Sequence, residues 1–263
     1  MNYLILPKFL KPRFFSSKIR IGREYDGGYV VSKNAIKKSN ILLSLGLYDD
    51  WSFEENFLKI NKKAKVYIFD GSVNLFFWLK YLLKNLFYFL KKEISFHQLF
   101  KNYYQFILFP FFFLRRNIKF IQKNIVGSYI NLNNKEVSIL DLKHIHKNKN
   151  LFIKIDIEGN EYEILDDIIK IKDSIECLVI EFHDLKKNLK KIRKFINKLD
   201  LRLIHLHVNN YGKISKTGFP SVVELTFAKK NYCKKKITIN FPIKNLDFPN
   251  NPFSLDKKIK FKN

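Results

Sequence analysis

The chain has 263 residues, enough for one large α/β domain or two small ones. Its 46% hydrophobic content supplies a real core and excludes global disorder. The formal net charge of +25, from 49 Lys and Arg against 24 Asp and Glu, has two readings: attraction to nucleic acid, anionic lipid or an acidic substrate, or the Lys-, Asn-, Ile- and Phe-rich drift of an A/T-rich genome. The lysines are spread along the whole chain, so the field is diffuse and not a patch.

Cys177 and Cys233 cannot frame a disulfide scaffold, and Cys177, inside an apolar run, reads as a small core residue. The start, MNYLILPKFLKPRFF, is broken by Pro7 and Pro12 and does not read as a signal peptide. No segment reaches the roughly 20 apolar residues of a membrane span. The aromatic run Phe106 to Leu114 is interrupted by Pro110. The expected location is the cytoplasm, with peripheral contact at the inner face of the membrane.

We read residues 1–263 as a single domain. Residues 1–40 form an opening segment with a turn at Asp26-Gly27-Gly28 and a short strand at Tyr29-Val30-Val31. Strand-like runs follow at 41–46, 66–70, 118–126, 151–157, 175–182, 201–208 and 222–229. Helical spacing separates most of them, as in Ile164, Leu165, Ile168 and Ile169, and in Leu189, Ile192, Ile196 and Leu199. This alternation predicts a parallel sheet covered on both faces. The sixth and seventh runs are joined through Asn209-Asn210-Tyr211-Gly212 without a helical pattern, which predicts an antiparallel end. The fold class is therefore α/β, a Rossmann-like seven-stranded sheet, unlike the all-parallel dinucleotide dehydrogenases.

Residues 72–117 predict a helical insertion of two helices that covers the mouth of the site. Phe76, Phe77, Leu79, Leu83 and Leu86 are expected to pack inward, with Lys80, Lys84, Lys91 and Lys92 solvated. Phe109, Phe111, Phe112 and Phe113 beside Arg115 and Arg116 then form a tip suited to an anionic membrane, or a lid packed on its own domain. Residues 231–263 read as a Pro/Asn-rich surface tail.

In an open α/β sheet, ligands bind beyond the carboxyl ends of the strands. Gly46 ends the first run, and Asp70 ends the second, 24 positions on, where a carboxylate accepts from ribose hydroxyls or else caps the next helix. The fourth run carries Lys154, Asp156 and Glu158 on one face of a strand that should be apolar, so that face is paired, solvated in a cleft, or used. Gly159 makes the turn and Asn160 is the expected helix cap. Glu181 and His183 share a face of the fifth run. His205 and His207, two apart on the sixth, are satisfied histidines or metal ligands. No metal set is assigned.

The segments KIDIEGNEYEIL (154–165), SLGLYDDWSFEE (44–55), VYIFDGS (66–72) and DGGYVV (26–31) resemble the FkbM-type methyltransferase family. The resemblance covers most of residues 20–230 outside the 72–117 insertion. It implies an S-adenosylmethionine-dependent enzyme, mostly an O-methyltransferase, acting on a carbohydrate, glycolipid or small-molecule hydroxyl. By position it implies Gly46 and Asp49 in the cofactor loop, Asp70 at the ribose, residues 124–127 with Val126 near the adenine, and Asp156 with Glu158 as the central acidic site. Asp156 and His183 are the candidate catalytic bases. Tyr48 departs from the pattern, since the family often has a second Gly there. It sustains the alternative of a catalytically degenerate protein that binds lipid or nucleic acid. A nucleic-acid methyltransferase is disfavoured by the lack of an appended binding module.

Overall fold

The computed structural model describes residues 3–236 and 240–262. Seven strands make one sheet: β1 (Ile41–Leu45), β2 (Lys65–Phe69), β3 (Ile118–Ile121), β4 (Leu151–Ile155), β5 (Ile175–Phe182), β6 (Arg202–Val208) and β7 (Val223–Ala228). Their order is β6-β7-β5-β4-β1-β2-β3. The five strands from β5 to β3 run parallel, and β7 is antiparallel to both β5 and β6. The chain moves outward from β1 through β2 and β3, then returns to β4 on the other side of β1. That reversal opens a crevice at the carboxyl ends of β1 and β4.

Every residue of β1 and β4 is buried, as befits parallel strands covered on both faces. Alternation sends Leu43, Leu45, Ile153 and Ile155 into one apolar layer with Ile164 and Ile168. It sends Leu42 and Phe152 into the other, against Phe53 and Phe57. Phe53 and Phe57 belong to helix α1 (Ser52–Ile60), which follows β1 directly.

The insertion forms the two expected helices, α2 (Leu75–Leu90) and α3 (Phe96–Phe113). Asn74 caps α2 by accepting from Phe77 N at 2.8 Å, and Ser95 caps α3 by accepting from Gln98 N at 3.2 Å. Helix α3 continues through Pro110. A buried Asn102–Asn85 hydrogen bond of 2.5 Å fixes the register of the pair.

Of the residues expected on the inward face of α2, Phe77 alone packs on the core. Phe76, Leu79, Leu83 and Leu86 point to solvent, while Trp78 and Phe112 are buried. Trp51 stacks on Phe112, Trp78 meets Phe109 edge-on at 4.9 Å, and Phe113 packs on Phe120 of β3. Both faces of α2 are apolar, so periodicity alone could not choose between them. The aromatic partners Trp51 and Phe120 decide the rotation.

Three further expectations are corrected. The run 118–126 divides at Gln122-Lys123: β3 stays in the main sheet, and Asn124–Val126 pairs in parallel with Glu136–Ser138. The run 151–157 ends as a strand at Ile155, and Gly159 at φ 103, not Asn160, holds the cap position of the following 3-10 turn. The tail is woven into the molecule, because Ile259–Lys262 forms a parallel ladder with Leu4–Pro7. Helices α4 (Leu165–Lys170) and α5 (Leu185–Leu199) occupy the expected places.

The tail also settles the two histidines of β6, the edge strand. His205 Nε2 lies 2.8 Å from Asp247 Oδ1, while His207 contacts Glu224 Oε2 at 3.3 Å and Asp256 Oδ2 at 3.1 Å. Both are buried and each has a carboxylate partner, so they read as structural groups, and neither lines the crevice. Burial pulls the His207 pKa down, but Glu224 and Asp256 outweigh it and hold the imidazolium well above its ordinary value. A raised folded pKa gives stability that is complete below the unfolded value of about 6.5 and is lost as pH rises through the folded one. The melting temperature should therefore fall as pH rises from about 6 to about 9, and less steeply in His207→Asn. An identical slope in the variant would remove His207 as the cause.

Candidate active site at the strand crossover

A cavity of about 550 Å³ opens at the carboxyl ends of β1, β2 and β4. Gly46, Asp70, Val126, Asp156 and Glu158 all line it. Neither α2 nor α3 contributes to its wall, so the insertion stands beside the mouth and does not roof it.

Gly46 has φ 85, and a Cβ there would meet the Asp156 carbonyl oxygen at 1.7 Å. Only glycine lets the ends of β1 and β4 come this close. The next turn is held by Asp70. Its Oδ2 accepts from Leu47 N at 2.9 Å and Tyr48 N at 3.0 Å, and its Oδ1 accepts from Ser72 N, Ser72 Oγ and Val73 N. Burial would raise the Asp70 pKa, but the hydrogen bonds from Ser72, Tyr48 and Leu47 outweigh it and hold the carboxyl below its usual range. Tyr48 adopts φ 54, the left-handed backbone that the sequence made doubtful for tyrosine. Its N–H bond to Asp70 and its ring contact with Phe77 at 5.1 Å secure that geometry. Asp70→Ala should thus cost about 2–4 kcal/mol of stability, read from denaturant unfolding, because several backbone donors lose a charged acceptor together. A loss under about 0.5 kcal/mol, the range of an ordinary surface substitution, would show that the loop holds itself.

Asp49 is drawn away from the cavity. Its carboxylate accepts from Tyr81 OH at 3.0 Å and lies 3.8 Å from Arg23, so it anchors α2. Asp50 pairs with Arg23 at 3.1 Å and accepts from Ser52 N at the start of α1.

The three charges of the KIDIEG segment have separate fates. Lys154 is buried, donates to the Gly46 carbonyl at 3.0 Å and lies 3.8 Å from the buried Glu54 of α1. Burial lowers its pKa, but Glu54 and Asp156 outweigh this and the ammonium stands raised. Asp156 is half-buried at the cavity wall and accepts from Tyr29 OH at 3.0 Å. Its pKa is raised by burial and by Glu158, against Lys154 and His183. Glu158, at φ 53, turns outward into solvent.

His183 joins this cluster from the end of β5. Its Nδ1 lies 3.0 Å from Glu161 Oε1, and Glu161 is fully buried. Its Nε2 lies 3.4 Å from Glu158 and 3.6 Å from Glu181. Burial lowers the imidazole pKa, but Glu161, Asp156 and Glu158 outweigh it and the net shift is upward. Ligand atoms of Asp156, Glu158 and His183 lie within 4.8 Å of one another, the one such trio among the described residues.

Tyr29, Glu54 and Glu161 were not singled out by sequence. Glu54 had a signal, since it shares the apolar face of α1 with Phe57 and Leu58 at helical spacing. Tyr29 read only as the start of a strand, and no local pattern announces its reach to Asp156, 127 residues away.

The cavity is also acidic. Asp70, Glu136, Asp156, Glu158 and Glu163 line it, against Lys154 alone, which Glu54 already pairs. In a chain of formal charge +25 this is a local reversal that favours a cationic ligand. The strand order, the antiparallel end and the cavity at the crossover define a methyltransferase fold of the Rossmann-like class. Residues 94–203 match the model of the methyltransferase FkbM domain, the family that the sequence resembles. The fold is also similar to the fibrillarin pre-rRNA processing protein of Methanococcus jannaschii, with 13% identity over 74% of this chain and 69% of that one and a TM-score of 0.39. A methyltransferase FkbM from Methylobacillus flagellatus KT gives 13% identity over 72% of this chain and 44% of that one, with a TM-score of 0.39. M. jannaschii TYW2, solved in complex with AdoMet, gives 14% identity over 81% and 87%, with a TM-score of 0.31. None of these likenesses carries a residue's role to this chain. No curated protein matches it.

Proposed function

We propose that the protein is an S-adenosylmethionine-dependent O-methyltransferase whose acceptor is a carbohydrate, glycolipid or small-molecule hydroxyl. The observation that carries this reading is the acidic cavity at the β1/β4 crossover. The lining fits the cofactor: Ile125, Val126 and Ile130 offer an apolar wall to an adenine, Glu136 offers an acceptor to ribose hydroxyls beside the loop that Asp70 holds, and Glu158 and Glu163 complement a sulfonium and an ammonium. The same carboxylates repel the pyrophosphate of a dinucleotide. Tyr48, the position that favoured a degenerate protein, sits in a loop whose bonds to Asp70 are complete.

When bound, the cofactor supplies an electrophilic methyl group. The chain's own residues orient the acceptor and remove its proton. His183 Nε2 takes the hydroxyl proton, and Glu161 holds the ring through Nδ1. Asp156, fixed by Tyr29, accepts a hydrogen bond from the hydroxyl and steadies the imidazolium that forms. Calorimetry with S-adenosylhomocysteine tests the reading. Saturable binding is expected, and none up to millimolar ligand would overturn it.

A further inference from the structure

The insertion turns an apolar surface to solvent that no other part of the described chain covers. On α2, Leu75, Phe76, Leu79, Leu83, Phe87 and Leu90 are all exposed, Leu75 by 80% and Leu90 by 71%. At 100° per residue these six fall within about 120° of arc. On α3, Phe96, Phe100, Tyr104, Ile107, Leu108 and Phe111 make a second exposed arc of about the same width. Monomeric proteins seldom leave contiguous apolar patches of this kind without a partner.

The charges beside the patch select the partner. Residues 72–117 carry seven Lys and Arg and one acid, Glu93. Lys80 and Lys91 lie over the rings of Phe76 and Phe87, each at 4.4 Å, with their stems on the apolar arc and their heads at its rim. A second copy of the chain would bring like charges together across the patch. Meanwhile no helix of the described residues is long and apolar enough to cross a membrane. An apolar face rimmed by cations suits the headgroup boundary of an anionic bilayer.

We propose that the outer face of the α2–α3 pair docks the protein on an anionic lipid surface. Helix α2 begins three residues after Ser72, which lines the cavity, and Phe77 packs on Tyr48, which also lines it. Docking therefore sets the cavity mouth beside the headgroups, where a lipid-linked acceptor is presented. That last consequence rests on the methyl-transfer reading, whereas lipid binding itself can be measured without any cofactor.

Co-sedimentation of the full chain with phosphatidylcholine vesicles, with and without phosphatidylglycerol, tests the docking. The wild type should sediment with the phosphatidylglycerol vesicles alone. The variant Phe76→Ser/Leu83→Ser/Phe100→Ser/Phe111→Ser alters only exposed side chains and should keep its melting temperature while losing more than about tenfold in partition. Lys80→Glu/Lys84→Glu, a second independent variant, should lose partition too. No binding to anionic vesicles, or undiminished binding by both variants, overturns the proposal. So does sedimentation velocity that shows a wild-type dimer, broken by the Ser variant, with no vesicle binding.

Discussion

Asp156→Asn should leave the fold and the cofactor affinity close to wild type and lower turnover by roughly 10²–10³-fold. The amide oxygen can still accept from Tyr29 OH, so the 3.0 Å bond that ties β4 to the opening segment survives. The negative charge beside His183 does not. Because Asp156 is one of the charges that raise the His183 pKa, the imidazole of the variant should titrate at lower pH, which histidine NMR can follow. Loss of the cooperative melt would mean that Asp156 is a structural partner. Unchanged turnover would remove it from the reaction. If chelation abolishes wild-type activity and a divalent ion restores it, Asp156, Glu158 and His183 act as metal ligands and the base must be sought elsewhere.

His183→Gln should cost about 10²–10⁴-fold in turnover, the range of a general base, with little change in cofactor binding. In the wild type, turnover should rise with pH as Nε2 loses its proton, with a midpoint above the ordinary histidine value, because Glu161, Asp156 and Glu158 favour the charged ring. Glu161→Gln should move that midpoint downward and lower turnover less than loss of the imidazole does. A purely structural Glu161 would change stability and leave the midpoint in place. The linked stability has a definite sign: the raised pKa stabilises the fold below about pH 6.5, and that contribution fades as pH rises through the folded value.

The sheet was legible because its strands are apolar runs that differ in period from the helices between them. The parallel order and the antiparallel end then followed from where helical spacing was missing, between Val208 and Val223. Gly46, Asp70 and Asp156 were legible as strand-end residues, and all three line one cavity. The cause of each was less so. Gly46 is required by the Asp156 carbonyl, a contact 110 residues away, and Asp70 holds a loop before it holds any ligand. Asp49 could not be told from Asp50 or Asp70 by sequence, since its partner Tyr81 lies inside the insertion. The rotation of α2 is not legible in the sequence, because both of its faces are apolar. Trp51, on another element, decides which one is buried. The place of the tail is not legible either, because ladders such as Leu4–Pro7 with Ile259–Lys262 join segments too distant for any local pattern.

The Asn85–Asn102 bond and the Trp78 cluster give the α2–α3 pair two sides with independent obligations. The pair also supplies the long connection that two parallel neighbours, β2 and β3, cannot do without. Its inner side is therefore committed to the architecture, and a change there opens the core beneath Trp51. Its outer side bears no such duty, and substitutions at the exposed Leu79, Leu83 or Phe100 should be nearly neutral for stability. A few outward substitutions should consequently change what this face can contact while leaving the cavity lining as it is. The outward face of the insertion and the lining of the cavity share no residue, so the two surfaces can diverge on separate schedules.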